Sequence, residues 1–110
     1  MEDVEYSDFK KLRMQVGRIL SAEKMARTEK LLRIKVDMGQ KEIQIVSSLV
    51  GYYTAEELVG KQIVVLTNLK PMEFSGSVSE GMLLCAENDK DWICVLLTPE
   101  TKVPEGTMIT

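Results

Sequence analysis

At 110 residues, 45% apolar and 28% charged, the chain has the size and make-up of one water-soluble domain around one core. Its net charge of −3 argues against indiscriminate binding to nucleic acid, which goes with a basic excess. It has no histidine and only two cysteines, which removes histidine acid–base chemistry, Ser-His-Asp triads and nearly every zinc pattern.

No run of about 18 apolar residues suggests a membrane-spanning helix. The start, Met1-Glu2-Asp3-Val4-Glu5, is acidic and lacks the apolar core of a signal peptide. The expectation is a cytoplasmic protein with no membrane partner. Charge is unevenly spread: Lys10, Lys11, Arg13, Arg18, Lys24, Arg27, Lys30 and Arg33 all precede Lys35, while acids gather at the N-terminus, at Glu56-Glu57 and between Glu87 and Asp91. A basic half and an acidic half follow from this.

Residues 1–7 read as a flexible acidic lead. Strand character begins at Met14-Gln15-Val16 and resumes at Arg18-Ile19-Leu20, with Gly17 between them suggesting a bulge or bend. From Leu31 to Met38 apolar and charged residues alternate, the mark of a half-buried strand. Gly39-Gln40 turns the chain into an antiparallel partner, Glu42 to Val46. Thr54 fits a helix N-cap, Glu57 completes a capping box and Gly60 fits a stop, giving one short helix. Further strands are expected at Gln62–Thr67, Met82–Glu87 and Trp92–Leu97. A four-residue hairpin loop, Asn88-Asp89-Lys90-Asp91, would set Cys85 directly opposite Cys94. Two reduced thiols acting as small apolar groups is the main reading of that pair, and a disulfide the alternative. The tail from Thr98, with Pro99, Pro104 and Gly106, is extended with turns.

Short strands, close turn signals, a bent first strand and a single helix in the order β-β-β-α-β-β define an all-β fold. The expectation is a five-stranded OB-fold barrel with a short helix between strands three and four, plus a C-terminal extension, with another small barrel as the alternative. Other small barrels share parts of this pattern. The domain runs over 8–97 and the extension over 98–110. Between two apolar runs lies a loop bounded by Asn68-Leu69-Lys70-Pro71 and Gly76-Ser77-Val78-Ser79-Glu80-Gly81-Met82. Connecting segments of this kind carry function more often than their scaffold does. No nucleophile–base pair, metal cluster or phosphate-cradling glycine loop is visible, so no catalytic residue, metal ligand or cofactor is expected.

Asp8-Phe9-Lys10-Lys11-Leu12-Arg13-Met14-Gln15-Val16-Gly17-Arg18-Ile19 resembles the D-F-x-K-x-x-x-x-V-G-x-I opening of the tRNA-binding OB domains. These are appended to methionyl- and tyrosyl-tRNA synthetases and also occur as small stand-alone proteins. The likeness continues in the family's order through Lys30-Leu31-Leu32, Ile45-Val46-Ser47, Tyr53 to Lys61, Asn68-Leu69-Lys70-Pro71 and Ser79-Glu80-Gly81-Met82, and ends with Leu97-Thr98-Pro99 and Val103-Pro104-Glu105-Gly106. The resemblance implies a module that holds the L-shape of tRNA without reading its sequence and assists a methionyl-tRNA synthetase, whose catalytic subunit is then a partner. It implicates Lys30, Asn68, Lys70, Ser79 and Met82: lysines for phosphates, Asn and Ser for sugar or base edges, Met as a platform for an unstacked base.

Each of these residues has a structural rival. Asn68 and Ser79 suit turns, Met82 suits a core and the lysines suit a solvated surface. Two departures from the family pattern bear on affinity. Met72-Glu73 stands where basic residues are usual, and Met25-Ala26-Arg27-Thr28-Glu29 replaces the usual segment before Lys30. The alternative function is a chaperone-like or protein-interaction OB-fold dimer related to a secretion chaperone of the same fold. Stand-alone members form homodimers, which implies that the extension 98–110 contributes an interface.

Overall fold

The computed structural model describes residues 1–110 and consists mostly of strands. These are β1 (Met14–Lys24), β2 (Leu32–Asp37), β3 (Glu42–Ser47), β4 (Gln62–Leu66), β5 (Met72–Phe74), β6 (Ser77–Ser79), β7 (Met82–Leu83), β8 (Cys85–Asn88) and β9 (Ile93–Leu96). Two one-turn helices accompany them, α1 (Tyr6–Phe9) and α2 (Ala55–Leu58). No helix is long and apolar enough to cross a membrane. Helix α1 straddles the boundary between the expected lead, 1–7, and the expected domain from residue 8; it buries no residue, and Lys11 meets Asp8 at 3.0 Å.

The main sheet has the order β3-β2-β1-β4-β7 and curls into a nearly closed five-stranded barrel of OB type. Its first strand serves two neighbours. Met14 to Arg18 pairs with β4, and Arg18 to Lys24 pairs with β2. The register slips between Ile19 and Ser21, so the bend falls at Leu20 rather than at Gly17. Gly17 serves close packing instead: a Cβ there would sit 2.5 Å from Met38 Sδ and 2.6 Å from Val36 Cγ1, which no side chain tolerates. Alternation then sorts the faces. Ile34, Val36, Ile43, Ile45, Ile63 and Val65 point inward and are almost wholly buried.

Helix α2 closes one end of the barrel. Thr54 and Glu57 form the capping box, Glu57 N–H donating to Thr54 Oγ1 at 3.2 Å and Thr54 N–H to Glu57 Oε1 at 2.6 Å. The helix delivers Leu58, fully buried, into the core.

The expected strand Met82–Glu87 is broken at Leu84 into β7 and β8, because the chain leaves the barrel to form a separate β8–β9 hairpin. Its loop closes at Asn88 opposite Ile93, with Trp92 in the left-handed region at φ 54°. The loop therefore ends one residue later than the sequence suggests. Cys85 faces Leu96 and Cys94 faces Glu87, so the two cysteines are diagonal rather than directly opposite.

The tail runs back along the first half of β1, on the edge that β2 leaves free. Gly106 N–H donates to Val16 O at 2.7 Å, Val16 N–H to Thr107 O at 2.8 Å and Ile109 N–H to Met14 O at 2.9 Å. Gln62 brackets Val103 through both its amide groups. Arg18 Nε meets Glu105 Oε1 at 2.6 Å, which lowers the Glu105 carboxyl below its ordinary value and raises the Arg18 guanidinium. The backbone of the extension is thus spent largely on its own barrel.

Candidate nucleic-acid interface

The barrel seam between β3 and β7 is sealed by the segment before β7, not by a full ladder. Glu80 N–H donates to Gln44 O at 2.8 Å, Gln44 N–H to Glu80 Oε1 at 3.1 Å and Gln44 Nε2 to Val78 O at 2.9 Å. At the next rung Val46 N–H donates to Ser79 Oγ at 3.0 Å, so a hydroxyl takes the place of a strand carbonyl. The same hydroxyl donates to Gly81 O at 2.9 Å, and Ser79 is only 6% exposed. Gly81 is closely packed, since a Cβ would lie 3.1 Å from both Leu66 O and Val65 Cγ1 and would need them to give by a few tenths of an ångström.

Beside this seam opens a groove of about 240 Å³. Its floor is Leu31 and Val46, and its walls are Leu69, Met72, Phe74 and Met82, with Lys70, Ser47 and Ser48 as polar edges. The groove joins three of the sequence-implicated residues, Lys70, Ser79 and Met82. Met82 is 54% exposed, so it is not ordinary core. Lys30 is exposed and immediately precedes Leu31 of the floor; its carbonyl accepts from Val50 N–H at 3.4 Å. Neither Lys30 nor Lys70 takes part in an ion pair.

Asn68 lies outside the groove. Its Oδ1 accepts from Arg13 N–H at 2.8 Å and its Nδ2 donates to Lys11 O at 2.6 Å. The amide therefore ties the stretch between α1 and β1 to the start of the loop.

Sequence reasoning missed Met72 and Phe74 as lining residues. The signal was the Ser75-Gly76 pair, a turn dipeptide. Both residues take positive φ, at 48° and 84°, and close the β5–β6 hairpin, as two-residue hairpin loops require. Side chains alternate along β5, so Met72 and Phe74 face the groove while Glu73 points away. Glu73, which stands where the family pattern has a basic residue, is not among the residues that line the groove.

A larger cleft of about 1020 Å³ lies between the start of β1, the β2–β3 turn and the tail. It carries mixed charge, with Arg13 and Lys41 against Glu80 and Glu105. No cluster of three or more metal-ligating side chains occurs. Cys85 and Cys94 are both free and half-buried; burial, then the neighbouring Cys94 thiol, pushes the Cys85 thiol up to about 12, which keeps it protonated and unreactive.

A small barrel with an apolar groove, flanking lysines and a clamped loop defines a class: an OB-type module suited to single-stranded or folded nucleic acid. Residues 14–108 match the family described as "Putative tRNA binding domain", and the chain belongs to that family. It is 48% identical to the methionine–tRNA ligase of Archaeoglobus fulgidus over 108 residues, covering 98% of this chain but 16% of that protein. The chain thus spans about one sixth of the curated relatives it matches. Among solved structures, the MetRS-related protein from Pyrococcus horikoshii superposes with a TM-score of 0.93 at 39% identity, over 100% of both chains. The chaperone CsaA of Bacillus anthracis superposes at 0.89 with 27% identity, over 99% of this chain and 100% of that one.

Proposed function

We propose that this protein is a non-catalytic module that binds tRNA by shape and backbone, and that it works in the cytoplasm beside a methionyl-tRNA synthetase. The observation that carries the reading is the groove itself, which brings Lys70 and Met82 together on an apolar floor with Lys30 at its margin. An unstacked base fits between Met82 and Phe74, and phosphates on either side meet the two lysines. In this reading Lys30, Lys70 and Met82 touch RNA, while Asn68 and Ser79 hold the loop that presents them.

The kinship to methionine–tRNA ligases supports the synthetase partner. A homodimer fits as well. Ile93, Val95 and Leu97 form an exposed apolar stripe on the β8–β9 hairpin, and Met108 of the tail is also exposed; a second copy would cover them.

The test is a titration of labelled tRNA at several salt concentrations. The wild type should bind with a negative log–log salt slope, and Lys70→Ala should weaken binding and flatten that slope by about one unit. Absence of tRNA binding at low salt refutes the function. The second reading, a chaperone-like module, is favoured by the fit to CsaA and by the apolar groove walls. It predicts salt-insensitive capture of unfolded polypeptide instead.

A further inference from the structure

Arg33 sits one rung from the groove. On the outer face of the barrel it pairs with Val46 of β3, which forms part of the groove floor, and lies two residues along from Leu31, another floor residue. Its other cross-strand neighbour is Glu23 of β1. The pair is made by a single contact, Arg33 Nη1 to Glu23 Oε1 at 2.7 Å. The Nε–H of the same guanidinium is buried and has no hydrogen-bond partner. The side chains are 36% and 63% exposed, so the carboxylate is mostly in water while one face of the arginine is held against the barrel.

This is an unequal arrangement. A guanidinium presents its donors as a planar fork that suits two oxygens at once, and an orphaned donor on a charged group is costly. Glu23 satisfies one prong only. An exposed ion pair of this kind contributes little stability, so an anion that engages the two Nη groups together, which are not sealed as Nε is, displaces it readily. The surroundings favour an anion: Lys30, Lys35 and Lys24 are exposed nearby on β1, β2 and their connection, and none makes an ion pair.

We propose that Arg33 is a phosphate-binding residue at the edge of the groove, and that Glu23 is a tethered competitor occupying its guanidinium until an RNA backbone phosphate replaces it. The proposal rests on the tRNA reading above and adds to it a residue and a built-in brake on affinity. Glu23 and Arg33 are fixed opposite each other by the register of two central strands, so the competition is intramolecular and acts on every binding event.

The experiment is a double-mutant cycle read by tRNA anisotropy at fixed salt, with the salt slope recorded for each variant. Glu23→Gln should tighten binding by about threefold to tenfold. Arg33→Ala should weaken it by a similar factor and flatten the slope by about one unit. In the Arg33→Ala background, Glu23→Gln should change affinity less than about twofold. Glu42→Gln, an equal change of net charge elsewhere on the outer face, should also stay within about twofold. Arg33→Lys keeps the charge but not the fork and should weaken binding by about threefold, which carries the test should the alanine variant fold poorly. Wild-type protein that binds no tRNA refutes the functional reading and this proposal together. Wild-type binding with an equal gain from Glu23→Gln in both backgrounds, or an equal gain from Glu42→Gln, overturns this proposal alone.

Discussion

Ser79→Ala separates a residue that touches RNA from one that holds the barrel shut. The substitution removes one hydroxyl and leaves two backbone groups without partners: Val46 N–H, on a residue only 8% exposed, and Gly81 C=O, on a half-buried one. An unsatisfied buried group costs about 1–3 kcal/mol. Val46 falls in the upper part of that range, since its N–H is sealed under the seam. Gly81 falls in the lower part, because the adjacent groove is open to water. The sum is about 3–4 kcal/mol, a large share of the roughly 5–15 kcal/mol that holds a domain of this kind together. It corresponds to a fall in Tm on the order of 10–15 °C.

The assay is urea unfolding followed by far-UV circular dichroism, since Trp92 is 78% exposed and makes a poor reporter. The midpoint should fall while the denaturant slope stays constant. Binding of tRNA, measured cold where the variant remains folded, should drop less than about threefold. A stability change below about 0.5 kcal/mol together with a tenfold loss of affinity would refute the reasoning. The hydroxyl would then belong to the RNA contact and not to the seam.

Asn68→Ala removes two of the hydrogen bonds that anchor the α1–β1 stretch, to Arg13 N–H and Lys11 O, while Thr67 still holds Arg13 O, and should cost about 1–2 kcal/mol because these bonds are exposed. Hydrogen exchange should quicken at Arg13, and unchanged protection there would count against the anchor. Glu73→Lys should tighten tRNA binding less than about threefold, because residue 73 faces away from the groove and acts only through screened, longer-range charge; a tenfold gain would place it on the phosphate path. For Cys85 the folded thiol titrates above its ordinary value, at about 12. The stability it contributes is therefore complete below the unfolded thiol range and lost as pH rises from roughly 9 towards 12. Unfolding midpoints from pH 8 to 10.5 should fall more steeply in the wild type than in Cys85→Ala, and parallel curves would refute the assignment.

The barrel was legible because its signals are local. Period-two alternation in β2 and β3 and the Thr54–Glu57 capping box reveal themselves within a few residues. What stayed hidden depends on contacts distant in sequence. Gly17 reads as a bulge until Val36 and Met38 are known to lie against it. The offset of Cys85 from Cys94 depends on Trp92 accepting a left-handed conformation that bulky side chains seldom adopt. At the site, the residue types of the loop were recognisable but their orientation was not. Nothing in Met72-Glu73-Phe74 alone says which side of the hairpin meets the groove.

The geometry also explains why the loop motifs mix residues of different physical kind. Asn68 fastens one end of the loop to the stretch just before β1, and Ser79 with Gly81 fastens the other to β3 and β4. Lys70, Met72, Phe74 and Met82 line the groove between and beside those fastenings. Binding to a long flexible ligand is weakened by every side chain and loop that must be ordered on contact. A loop pinned at both ends has already met that cost during folding. In the proposed reading Asn68 and Ser79 support recognition without touching the ligand, because they fix where the lysine and the apolar walls stand. The same logic separates the two kinds of substitution in this loop. A change at a pin is expected to alter stability first and affinity as a consequence, whereas the proposed function predicts that a change at Lys70 or Met82 alters affinity while leaving the barrel intact.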